Sequence, residues 1–85
     1  MAAVNFSIKV VDQNGSSLSG MRIELYATPL LDPWHDSLYT DDDGWAYGEY
    51  DDCISCSSVS LNVVIDGEGM GEHYFPDGST KSFTI

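Results

Sequence analysis

The chain has 85 residues, 42% of them hydrophobic, with two Trp, five Tyr and three Phe; that supports one small core, burying only ~60% of the extended surface, and leaves no room for a second domain or a disordered chain. Fourteen Asp and Glu stand against Lys9, Arg22 and Lys81, a formal charge of −11 that argues against phosphate backbones and anionic lipid as partners. No stretch approaches the ~20 apolar residues of a membrane span, and Met1-Ala-Ala is too short for a signal peptide, so one soluble domain over residues 1–85 is expected, binding no nucleic acid and inserting into no membrane.

Phe6-Ser-Ile-Lys-Val10 alternates apolar and polar residues, which predicts a first strand with Phe6, Ile8 and Val10 on one face and Ser7, Lys9 and Val11 on the other. Asp12-Gln-Asn-Gly15 closes it with an Asn-Gly turn signal, and Ser16 to Gly20 is a short loop anchored by Leu18. Met21-Arg-Ile-Glu-Leu25 alternates again, so Met21, Ile23 and Leu25 should face the same core. Thr28 to Asp36 contains Pro29 and Pro33 and no period, and reads as a long loop, the kind of segment where binding residues tend to sit.

Asp42-Asp43-Gly44 predicts a hairpin turn, because Asp tolerates left-handed geometry and bonds its own backbone while Gly takes positive φ freely. Ser37 to Thr40 and Trp45 to Tyr50 are its two expected arms. Asp51 to Ser57 is a polar crossing with both cysteines, and Val59 to Ile65 is the strongest strand pattern, expected to be central in its sheet. Asp66 to Gly71 reads as a flexible acidic loop, Glu72 to Phe75 as a short strand, Pro76-Asp-Gly78 as a turn, and Lys81 to Ile85 as the last strand. Seven short strands with no helical period predict an all-β fold, a seven-stranded antiparallel β-sandwich.

One pattern in the first half of the chain resembles a known signature. Val10-Val-Asp-Gln-Asn-Gly15, Leu18-Ser-Gly20, Ile23-Glu-Leu25 and Thr40-Asp-Asp-Asp-Gly44 with Ala46 look like the repeated Asp-x-x-Gly pattern of carboxypeptidase regulatory-like domains, shared with transthyretin-like and Cna-B-like folds. The resemblance implies a sandwich of immunoglobulin-like shape, usually secreted or on a bacterial surface, acting as an accessory, adhesive or structural module rather than an enzyme. Cna-B domains can form a Lys–Asn isopeptide bond, but Lys9 falls opposite the core face and the last strand ends Thr84-Ile85 without an Asn. Transthyretin-like hydrolases carry part of their chemistry in a Tyr-Arg-Gly-Ser C-terminus, whereas this chain ends Lys81-Ser-Phe-Thr-Ile85.

Among candidate chemistries, Cys53-Ile-Ser-Cys56 lies between predicted strands in a field of carboxylates, a setting that raises thiol pKa and disfavours redox catalysis. In an oxidising compartment a disulfide across the short loop is the expected state. Zinc would require two further ligands from His35, His73, Asp51 or Asp52, and no spacing joins them. Three adjacent carboxylates at Asp41 to Asp43 cannot converge on one calcium ion, because successive residues point apart. If the two acidic loops meet in space, Asp41 and Asp43 with Asp66 and Glu68 are the calcium candidates, Glu72 standing nearby.

Trp45 and Tyr47 carry the most concrete binding hypothesis. With Ala46 and Gly48 inward they form an exposed platform for a protein or carbohydrate; with the opposite pleat they fill the core. Trp34, in Pro33-Trp34-His35, either caps one end of the fold or is offered to a partner. His35 and His73 are the only histidines, and no G-x-S-x-G elbow is present, so catalysis is not expected. The expectation is a non-catalytic interaction or structural module of a secreted, surface or virion-type assembly. The alternatives are a metal-binding domain and a scaffold that self-associates through its edge strands.

Overall fold

A computed structural model of the chain describes residues 3–27, 34–51, 53 and 55–85. Seven strands follow in order: β1 (Val4–Val11), β2 (Arg22–Ala27), β3 (His35–Tyr39), β4 (Trp45–Tyr50), β5 (Ser58–Ile65), β6 (Glu68–Pro76) and β7 (Ser79–Thr84). They form a three-stranded sheet in the order β4-β1-β7 and a four-stranded sheet in the order β3-β2-β5-β6, with no helix among the described residues. Among the described residues no helix is long and apolar enough to cross a membrane.

The period-2 pattern does what it predicts. In β1, Val4, Phe6, Ile8 and Val10 are buried, and Ile23 and Leu25 of β2 with Leu61, Val63 and Ile65 of β5 meet them in one cluster that also takes in Ala46, Tyr50, Phe75 and Phe83. Met21 and Leu18 pack against its margin. The arrangement is sandwich-like, two sheets closing on a single apolar layer. β5 lies inside its sheet between β2 and β6, as its apolar run predicts.

Three expectations are corrected. The fold is not antiparallel throughout: β7 runs parallel to β1, from Phe6 opposite Ser79 to Val11 opposite Thr84. The cause is the corner after β6. Asn5 N donates to Asp77 Oδ1 at 2.8 Å, and Gly78 N donates to Asn5 O at 2.7 Å, so the corner is docked on the start of β1 and β7 leaves it in β1's direction.

The Asp42-Asp43-Gly44 turn does not join the arms of a hairpin. β3 pairs with β2 and β4 with β1, so the turn crosses between sheets. Buried Thr40 holds the crossing: its Oγ1 donates to Leu18 O at 2.7 Å and accepts from Met21 N at 2.9 Å. That fastens the end of β3 to the loop before β2 and releases the next residues to the other sheet.

The flexible loop expected over Asp66 to Gly71 is mostly strand. Asp66 and Gly67, with φ of 52° and 81°, form a two-residue turn between Ile65 and Glu68, the geometry an Asp-Gly pair favours in hairpins. The register then shifts between Val63 and Val64, a bulge that absorbs the extra residue among Gly69, Met70 and Gly71. The loop expected over Thr28 to Asp36 lies largely outside the described residues, and its last two residues already belong to β3.

Candidate functional site

The pleat of β4 is decided by one close approach. Gly48 sits opposite Phe6, and a Cβ there would overlap the Phe6 ring, which itself packs on Phe75 at 4.6 Å. Gly48 and Ala46 are therefore inside, and Trp45 and Tyr47 are on the outer face of the three-stranded sheet. Their rings are nearly parallel, 16° apart in plane with centroids 6.5 Å apart. Trp45 is partly covered: Lys9, its cross-strand partner, holds Nζ 5.3 Å from the ring centroid. Tyr47 is 65% exposed. Lys9 thus lies outside the core, on the aromatic pair.

Trp34 is partly buried against the end of the core, its ring edge-on to Tyr50 at 5.0 Å and 74°. It comes near Tyr47 nonetheless. A groove of about 450 Å³ opens where the edges of β3 and β4 face each other across the two sheets, lined by Trp34, His35, Asp36, Tyr47, Glu49 and Asp51. A smaller hollow of about 230 Å³ lies on the other side of Tyr47, beside Asn5, Ser7 and Ser79. Sequence reasoning put Trp34 and Tyr47 in separate segments; the fold brings them to one groove.

Asp36 and Glu49 were missed in the sequence, and Asp51 was named there only as a zinc candidate. Glu49 and Asp51 continue the outward parity of Trp45 and Tyr47, a signal available once the pleat is known. Asp36 carried no such signal, because the sequence placed it in a loop. It occupies an edge strand opposite buried Leu25, and its Oδ1 accepts from Ser37 N at 2.9 Å.

The calcium candidates do not converge. Asp41 Oδ1 accepts from the backbone N of Asp43 and of Trp45, each at 2.9 Å, so this carboxylate shapes the turn. Asp66 belongs to the β5–β6 turn, with its N donating to Arg22 O at 2.8 Å. Among the described residues no three His, Cys, Asp or Glu side chains are grouped to hold an ion, which leaves Asp41, Asp43, Asp66 and Glu68 unclustered.

Cys53 and Cys56 form a disulfide and pack against the core, so neither sulfur is a free thiolate for zinc; Asp52, another zinc candidate, lies outside the described residues. His35 stacks on Tyr26 at 4.8 Å, while His73 meets Phe83 at 4.8 Å and its Nε2 donates to Met70 O at 2.8 Å. The two histidines stand on β3 and β6, the opposite edges of the four-stranded sheet. Comparisons with protein-family models, with characterised proteins and with solved structures found no match. The fold and this surface define a small two-sheet all-β domain with an aromatic pair on an edge strand.

Proposed function

We propose that the chain is a non-catalytic interaction module, of the carboxypeptidase regulatory-like or transthyretin-like kind, in a secreted, surface or virion-type assembly. It binds a protein or carbohydrate partner through Trp45 and Tyr47 and the groove that Tyr47 shares with Trp34. The observation that carries this reading is the outward pleat of β4, enforced by Gly48 against Phe6. Large rigid aromatics on a surface give contact area at low entropic cost, and Trp and Tyr are enriched among residues that dominate binding energy. The paired Asp-x-x-Gly turns and the seven strands in two sheets are consistent with the family resemblance.

Tryptophan fluorescence in Trp34→Phe, where Trp45 reports alone, tests the reading against a panel of soluble oligosaccharides and extended peptides. Saturable change in Trp45 emission is expected for at least one member. Tyr47→Ala should weaken that binding by at least ~10-fold while leaving the melting temperature nearly unchanged, as for an exposed hot-spot side chain. Unaltered affinity in Tyr47→Ala, or no response across the panel, overturns it.

A further inference from the structure

We propose that the partner is a basic extended polypeptide, with Arg or Lys at alternate positions, lying along the free edge of β4 with a cationic side chain in the groove between β4 and β3. This rests on the interaction-module reading and adds the chemistry of the partner.

Backbone geometry supplies the first argument. β1 is β4's only strand neighbour among the described residues; the turn caps the other edge at Trp45, whose N donates to Asp41 Oδ1 and whose O accepts from Asp41 N, and beyond it the edge at Tyr47 and Glu49 is open to an added strand. Charge supplies the second. Asp36, Glu49 and Asp51 line the groove, and none of the chain's three cations does. Each cation is engaged elsewhere: Lys9 over Trp45 at 5.3 Å, Lys81 over Phe75 at 5.7 Å, and Arg22 with Glu24 at 2.8 Å. Among the described residues no Lys or Arg therefore supplies the groove's carboxylates with a counter-charge, and His35 is the one base in the lining.

The remaining walls suit the same occupant. Tyr47 and Trp34 present ring surface to the groove, and a guanidinium or ammonium group gains from an aromatic face as well as from a carboxylate. A second copy of this chain fits poorly. Pairing β4 with β4 would join two acidic edges between molecules of charge −11 each. A neutral sugar would bring hydroxyl donors to the three carboxylates but no counter-charge. A basic strand satisfies the edge, the carboxylates and the rings together.

The test uses an eight-residue peptide of alternating arginine and threonine, with backbone amide shifts read by NMR on the whole chain. Saturable shifts are expected at Trp45 to Tyr50 and at the Trp34 indole. The triple variant Asp36→Asn, Glu49→Gln, Asp51→Asn should weaken binding by at least ~10-fold, the loss of close charge pairs. The triple variant Asp42→Asn, Asp43→Asn, Glu68→Gln removes the same number of charges away from the groove, in the turn between β3 and β4 and at the start of β6, and should change affinity by less than ~2-fold, because salt screens charges at that distance.

Equal weakening by both triple variants means diffuse attraction to an acidic protein, and overturns the inference. Shifts centred away from β4, equal binding of an alternating glutamate and threonine peptide, or a concentration-dependent dimer whose contact maps to β4 do the same. A sugar or neutral peptide that loses affinity in Tyr47→Ala but keeps it in the groove triple variant would leave the interaction module standing while removing the basic partner. Melting curves of both triple variants, expected to stay near wild type, guard against a folding defect.

Discussion

Two turns of this molecule are built alike and placed differently. In the first, Asp12 Oδ1 accepts from Asn14 N at 2.8 Å and Ser16 N at 2.9 Å, and Gly15 N donates to Asp12 O at 3.0 Å. In the second, Asp41 Oδ1 accepts from Asp43 N and Trp45 N, both at 2.9 Å, and Gly44 N donates to Asp41 O at 3.0 Å. Gly15 and Gly44 both take left-handed geometry, with φ of 84° and 81°. The local device is the same Asp-x-x-Gly loop, in which one carboxylate satisfies two backbone donors and glycine accepts the reversal.

Their surroundings differ. The first turn stands at the edge of the fold, and a Cβ on Gly15 would meet nothing within 4 Å. The second crosses between the sheets. A Cβ on Gly44 would lie 2.9 Å from Val10 O and 3.0 Å from the Ser17 Cβ, in a corner where Val10 N donates to Gly44 O at 2.9 Å. A motif thus sets the shape of a turn, and its neighbours set the cost of changing it.

That contrast is most directly broken at the glycines. Both substitutions to Ala place an L-residue at positive φ, a strain of about 1–2 kcal/mol, and Gly44→Ala adds overlap with backbone that cannot swing aside. Urea denaturation should give about 3–4 kcal/mol of destabilisation for Gly44→Ala and about 1–2 kcal/mol for Gly15→Ala. Equal losses would mean that the corner yields and that packing around Gly44 is incidental.

Thr40→Val sharpens the comparison from the neighbouring residue. It keeps the shape but leaves Leu18 O and Met21 N without their side-chain partner, a cost of about 2 kcal/mol that no residue beside the first turn incurs. Thr40→Ser, which keeps the hydroxyl, should recover most of the loss by the same measurement. The smallest effect is expected at the carboxylates. Asp12→Ala and Asp41→Ala each remove two exposed backbone partners and should lower the melting temperature by a similar few degrees, since the two loops share that bonding. A much larger fall for Asp41→Ala in a thermal melt would show that even this local contact is strengthened by its burial context.

Much of the fold was legible residue by residue. Alternation in Phe6 to Val10, in Met21 to Leu25 and in Val59 to Ile65 predicts strands with the buried sets observed, because a period of two has only one geometry that puts its apolar residues together. Asp66-Gly67 was equally legible as a hairpin turn, but Gly69 and Gly71 made the segment look like a loop. They are instead accommodated in β6, beside a bulge. In the candidate site, Trp45 and Tyr47 were legible as a pair on one face. Their direction was not, since two opposite pleats satisfy the same alternation.

The sequence by itself determined the elements of this protein: where strands run, which residues on each share a face, and where Asp and Gly reverse the chain. These follow from torsion preferences and near neighbours, which a short stretch carries within itself. Tertiary structure alone decided that β3 and β4 part at Thr40, that β7 lies parallel to β1, that Phe6 turns Trp45 and Tyr47 outward, and that Asp36, Glu49 and Asp51 line one groove. Each of those outcomes depends on contacts between residues far apart in the chain, and local periodicity holds no information about which distant strand will supply the other half of the contact.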